Sequence, residues 1–153
     1  MTICYLGLGS NLDSPERQLR FAIELIRKLP DSHLIRVANF YRNEAWGRKS
    51  QPKFCNTVVA LHTRLSPQEL LKFCHKIEQK QKRVRKTRWG ARTLDIDLLL
   101  YGSLQINTPK LTIPHPRMHE REFVLKPLLE IAPSLCITNY RGLTMVSNER
   151  QEA

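Results

Sequence analysis

The order of hydrophobic periodicities along the chain predicts an α+β protein. Short apolar, β-rich runs and two amphipathic stretches with helix-start signals follow one another as strand, helix, strand, strand, helix, strand. That order is the split βαβ or ferredoxin-like βαββαβ core: an antiparallel sheet with helices packed on it, here with C-terminal additions. A length of 153 residues, 41% of them hydrophobic and 25% charged, suits one soluble domain, 1–153, with its core at about 2–133.

Residues 2 to 8 form the first strand, near-continuously apolar and therefore expected to be buried. Gly7 and Gly9 follow in G-L-G-S-N, which is neither a Walker A nor a dinucleotide fingerprint, so a plain strand-to-helix turn is expected more than a phosphate loop. A helix begins near Asp13 or Ser14, both able to cap, with Pro15 and Glu16 in its first turn. Its apolar face is Leu19, Ala22, Ile26 and Leu29, and Pro30 and Asp31 close it. Residues 33 to 41 make the second strand. In the polar loop 42 to 52, Trp46 either folds back on the core or stands ready to stack on a ligand. Residues 54 to 65 are a long third strand with Asn56 as its odd member. The Asn56 amide reads a heterocycle edge if it faces a site, and is an ordinary polar residue if the strand lies at an edge. Ser66, Pro67 and Glu69 announce the second helix with a capping box, and Leu70, Cys74 and Ile77 form its apolar face. The fourth strand covers residues 93 to 101 and a short one lies near 104 to 106. Pro114 and Pro116 stiffen a loop around His115, which with Arg117 and Arg121 nearby is either a phosphate contact or a surface histidine. Residues 123 to 131 make a short helix stopped by Pro133, and the tail after Leu135 has no legible pattern.

The chemistry concentrates in residues 83 to 99. Lys80, Lys82, Arg83, Arg85, Lys86, Arg88 and Arg92 come with no acid among them, and Asp95 and Asp97 follow within an apolar run. The i, i+2 spacing on a strand sends both carboxylates to one face. Paired carboxylates are oxygen ligands for a hard cation such as Mg2+, which usually completes its shell with substrate phosphates, and guanidinium groups suit those phosphates. Singly, each feature has a plainer reading: cations at a helix C-terminus, or acids on an exposed strand face. Their adjacency inside an otherwise apolar strand favours a site for a nucleotide polyphosphate and its metal.

The bulk charge agrees with an anionic partner. Twenty-five Lys and Arg against 14 acids give a net charge of +11, which suits a nucleotide, a nucleic acid or an anionic surface. The RNA-recognition signature K/R-G-F/Y-x-F/Y is missing, and the Asp pair repels phosphates unless a metal intervenes. Cys4, Cys55, Cys74 and Cys136 show no C-x-x-C spacing, so reduced thiols and no zinc site are expected. Neither a signal-peptide pattern nor a membrane-length apolar run is found, and a cytoplasmic monomer is the expectation.

At this point the chain resembles the 6-hydroxymethyl-7,8-dihydropterin pyrophosphokinases of folate biosynthesis. The resemblance rests on R-W-G-A-R-T-L-D-I-D-L-L at 88 to 99. It is supported by G-L-G-S-N-L, F-Y-R at 40 to 42, F-x-N at 54 to 56, R-V-R-K at 83 to 86, L-T-I-P-H-P-R-M, and R-x-F at 121 to 123. The resemblance implies transfer of the diphosphate of ATP to the pterin hydroxymethyl oxygen, giving AMP. It implies that Asp95 and Asp97 hold two Mg2+ ions and that Arg83 and Arg92 serve the phosphates, with His115 and Arg121 as further phosphate contacts. Leu98, Lys110 and Thr112 fall where the family lodges adenine and ribose. Asn56 matches the pterin-reading amide and Phe54 and Phe123 the rings that sandwich the pterin. Asp95 and the Ala45 loop adjoin the pterin, and Trp89 sits on a loop that closes over the ATP side. The partners implied are small molecules, with no nucleic acid and no membrane. The chain departs from the family pattern in N-E-A-W-G at 43 to 47, which lacks proline. It also departs at His75 in place of Gln, at Pro116 in place of Tyr, and in a basic loop one residue shorter between Lys86 and Trp89. A regulatory paralogue that kept only the fold is the rival within this resemblance, and the intact Asp95, Asp97, Arg83 and Arg92 weigh against it.

Overall fold

A computed structural model describes residues 1–11, 14–43, 54–84, 94–118, 121–139 and 142–145. The elements in order are β1 (Thr2–Ser10), α1 (Pro15–Arg27), β2 (Ser32–Val37), β3 (Tyr41–Asn43), β4 (Phe54–Thr63), α2 (Pro67–Val84) and β5 (Leu94–Tyr101). After them come β6 (Ile106–Asn107), β7 (Thr112–Ile113), α3 (Glu122–Ile131), β8 (Leu135–Asn139) and β9 (Gly142–Met145). The main sheet runs β2-β4-β1-β5 with β3 also on β4, and every pairing is antiparallel. This is the ferredoxin-like α+β arrangement that the sequence order predicts.

Alternation along the strands builds two cores on one sheet. Leu6 and Leu8 of β1, Cys55, Val59 and Leu61 of β4, and Ile96 and Leu98 of β5 pack beneath α1 and α2. Those helices present Leu19, Ala22 and Ile26, and Leu70, Cys74 and Ile77. On the other face Tyr5, Val58, Ala60 and Leu99 meet α3 through Val124, Leu128 and Ile131. The start of α2 is fixed by its predicted capping box: Ser66 N donates to Glu69 Oε1 at 2.9 Å and Glu69 N to Ser66 Oγ at 3.1 Å.

Several boundaries differ from expectation. β1 runs on through Gly7 and Gly9 to Ser10, so the glycines are strand residues and not a turn. Ser14 precedes α1 in the left-handed region (φ 53) and makes no side-chain cap bond. The second strand is split into β2 and β3. Ala38 N still donates to the Val58 carbonyl of β4 at 2.9 Å, but side chains take the other backbone groups of residues 38 and 39. Thr57 Oγ1 donates to the Ala38 and Asn39 carbonyls at 3.0 and 3.1 Å, and Asn39 N donates to Glu130 Oε2 at 2.9 Å. The third strand ends at Thr63 and the fourth starts at Leu94. The short strand expected near 104 to 106 pairs instead as Ile106–Asn107 with Thr112–Ile113, and the tail forms the β8–β9 hairpin. Cys4, Cys55 and Cys74 are buried free thiols, as expected, with Cys4 and Cys74 pushed up to about 12 chiefly by burial.

Candidate active site

The register of three neighbouring strands assembles the site. Gly9 lies opposite Asn56 on one side and Asp95 on the other; Gly7 lies between Val58 and Asp97. Directly opposed residues share a face, and this is the α3 face. Asn56 therefore sits in an interior strand between Gly9 and Tyr41, and is buried. The edge-strand reading of Asn56 does not hold. A Cβ at Gly9 would lie 2.7 Å from Asn56 Oδ1, so the glycine leaves the space that the amide occupies. A Cβ at Gly7 would press on Leu99 at 3.3 Å.

Asp95 is exposed and Asp97 half-buried, two residues or about 7 Å apart along β5. Burial holds the Asp97 carboxyl above the usual carboxylate range, with Asp95 adding to the rise and His115 and Arg121 opposing it. His115 reaches this group from the loop after β7. Its backbone N–H donates to the Leu99 carbonyl at 3.0 Å, and its Nε2 lies 3.9 Å from Asp97 Oδ1. Arg117 N donates to His115 Nδ1 at 3.3 Å, which leaves the proton of the neutral ring on Nε2, towards Asp97. Burial lowers the His115 pKa; Arg121 and Arg117 act in the same direction and Asp97 against it. Arg121 occupies the N-cap position of α3 without a side-chain capping bond, and its guanidinium stands 6.0 Å from the Phe123 ring.

The donor set fits a hard cation. Among the described residues no three His, Cys, Asp or Glu side chains converge to cage an ion. Two carboxylates on one sheet face suit Mg2+, which takes the rest of its shell from water and phosphate.

Other expected residues flank this centre. Phe54 precedes Asn56 by two positions on the same strand face, and Phe123 packs at the margin of the α3 core. Lys110 and half-buried Thr112 lie on the β6–β7 hairpin beside β5, an edge strand of the sheet. The Leu98 side chain is buried on the opposite face under the helices, so Leu98 meets a ligand only through its main chain. Arg83 falls in the last turn of α2. Ala45, Trp46, Trp89 and Arg92, with residues 44–53 and 85–93 of the N-E-A-W-G and basic loops, lie outside the described residues.

One residue of the centre escaped the sequence reading. Glu78 on α2 accepts from Ile96 N at 2.7 Å, between the two aspartates. Burial raises its pKa and Asp95 and Asp97 contribute to the rise, which places its charge near theirs. The available signal was an acid four residues after Cys74, beside the helix's apolar stripe.

Fold and site together define a small α+β protein whose sheet carries, on one face, two carboxylates beside a buried amide, with two half-buried aromatic rings and the cationic side chains of Arg117 and Arg121 nearby. The family model of 7,8-dihydro-6-hydroxymethylpterin-pyrophosphokinase (HPPK) matches residues 5–133, and the chain belongs to that family. A 2-amino-4-hydroxy-6-hydroxymethyldihydropteridine pyrophosphokinase of Haemophilus influenzae is 46% identical over 144 residues, covering 94% of this chain and 90% of the relative. The enzymes of that name from Pseudomonas aeruginosa and Bacillus subtilis are 43% and 42% identical, over 91% and 84% of this chain and 86% and 77% of their own lengths.

Proposed function

We propose that this chain transfers the diphosphate of ATP to the hydroxymethyl group of 6-hydroxymethyl-7,8-dihydropterin, a step of tetrahydrofolate biosynthesis. Family membership supports the reaction. The single observation that supports this site for it is the common sheet face on which Asn56 and the Asp95–Asp97 pair meet across Gly9 and Gly7. The pterin oxygen forms a bond to Pβ, the bond from Pβ to the oxygen bridging Pα breaks, AMP leaves with that oxygen, and the hydroxyl proton is released.

The residues divide the work by chemistry. Asn56 offers donor and acceptor to the pterin edge, and Phe54 and Phe123 offer rings to its faces, with Asp95 and Ala45 adjoining. Asp95 and Asp97 would hold two Mg2+ ions, which when bound neutralise phosphate charge and polarise the transferring group. His115 and Arg121 approach the same point from the α3 side and serve the phosphates, together with Arg83 and Arg92. Leu98, Lys110 and Thr112 border the adenosine, and Trp89 covers the ATP side. No helix among the described residues is long and apolar enough to cross a membrane. A cytoplasmic, single-domain monomer is part of the same proposal.

Incubation with MgATP and the pterin tests it by product. AMP is expected and ADP overturns it. Asp97→Ala is expected to reduce AMP formation by more than a hundred-fold with an unchanged circular dichroism spectrum.

A further inference from the structure

The α3 face of the sheet carries a pair of imidazole side chains at the end far from Asp95 and Asp97. His33 on β2 and His62 on β4 are directly opposed in the antiparallel ladder. The next pair, Leu34 and Leu61, turns to the core under α1 and α2, so the two imidazoles leave on the opposite face. Ile3 of β1 flanks His62 there. Arg64 N donates to the Asp31 carbonyl at 2.9 Å, which continues the same register outward. Hydrogen-bonded and non-bonded pairs alternate, so His33 and His62 form a hydrogen-bonded pair with Cβ atoms about 5.5 Å apart. His33 is exposed and His62 half-buried. Along β4 the pair is six positions from Asn56, about 20 Å, so it takes no part in the transfer reaction.

We propose that His33 and His62 chelate one divalent transition-metal ion of borderline softness, Cu2+ most tightly and Zn2+ or Ni2+ less so, with water filling the remaining positions. Imidazole nitrogen suits these ions, whereas Mg2+ seeks oxygen, so the two ends of the face select different metals. The ladder fixes both Cα positions before binding, so the ion meets a nearly formed chelate. Of the two arginines two ladder positions away, Arg36 donates to the Ile131 carbonyl at 3.3 Å, and Arg64 is exposed beyond the end of β4, opposite Asp31. Because β2 is an edge strand, the bound ion ties that edge to its neighbour.

Titration of the full chain with Cu2+, followed by electron paramagnetic resonance, tests the pair. One ion per chain with two imidazole nitrogens in its equatorial plane is expected. His33→Gln and His62→Gln are each expected to weaken that site at least ten-fold and leave a single nitrogen. Melting temperature should rise with added Cu2+ or Zn2+ in the parent chain and not in the double variant. AMP formation with Mg2+ should be unchanged in His33→Gln, which alters an exposed side chain and keeps the fold testable if His62→Gln does not fold. Parental Cu2+ affinity in His33→Gln, or a parent spectrum with only one imidazole nitrogen, overturns the proposal.

Discussion

At the residue scale the site depends on what is missing as much as on what is present. Gly9 contributes no side chain, and the Asn56 amide oxygen lies in the space a methyl group would fill, 2.7 Å from it. β4 is packed on both sides at that point, so the amide has little room to retreat without losing its orientation. Gly9→Ala is therefore expected to raise the KM for the pterin about ten-fold or more while moving the KM for ATP little. Asn56→Ala should show the same asymmetry, and steady-state kinetics with each substrate varied in turn checks both. An equal rise in the two constants would show that Asn56 does not read the pterin. The Asp pair was legible because charges inside an apolar strand demand a reason, and spacing alone gives their common face. The role of Gly9 was not legible. It answers a side chain on another strand, and a G-x-G in isolation reads as a turn.

At the element scale, features caused locally were readable and features caused across the fold were not. The α2 start is local: Ser66 and Glu69 satisfy each other's backbone donors, as S-P-Q-E foretells. Ser66→Ala should cost about 1 kcal/mol in denaturant melts. The Glu69 carboxyl is held below its ordinary value, first by the Ser66 backbone N–H and then by the Ser66 hydroxyl. A depressed folded pKa means that its stabilisation is complete above the unfolded value and lost as pH falls through the folded one. The melting-temperature gap between parent and Glu69→Ala should thus be present at pH 7 and shrink as the pH is taken below the ordinary glutamate value of about 4.3. The α2–β5 contact is non-local. Glu78 holds Ile96 N–H between the two aspartates, and Glu78→Ala strands that half-buried donor, expected to cost about 1–3 kcal/mol. Glu78→Gln keeps an acceptor and should cost less, a comparison that urea melts resolve. The split of β2 from β3 was invisible for the same reason. It is imposed by Thr57 on β4 and Glu130 on α3, whose pull on residues 38 and 39 no local pattern encodes.

At the scale of the whole molecule, the order of strands and helices was enough to predict the sheet, because two helices that cover one face leave few ways to pair four strands. The second covering, by α3, was not predicted as such, yet it gives the site its depth. α3 covers the middle of the face with Val124, Leu128 and Ile131, and Asn56, Asp95 and Asp97 lie towards the other end of the strands. The α3 C-terminal half is pinned to β3, where Tyr41 Oη donates to Glu130 Oε1 at 2.6 Å, so its N-terminal end holds Arg121 and Phe123 at the cleft. Across this frame the chain carries a net charge of +11, while the end of the face bearing Asp95 and Asp97 is acidic. Those two facts predict different responses to salt for the two substrates. ATP is a polyanion drawn by the long-range field, and that field is screened beyond about 10 Å at 0.1 M ionic strength. The dihydropterin is uncharged, and in the proposed site it meets a buried amide and aromatic rings at short range. Raising NaCl from about 20 to about 200 mM should therefore lower kcat/KM for MgATP several-fold and leave that for the pterin at saturating MgATP nearly flat. Stopped-flow binding should place the loss in the association rate of the nucleotide. A fall of equal size for both substrates would mean that salt acts on the fold or the metal, and that the basic surface does not steer ATP.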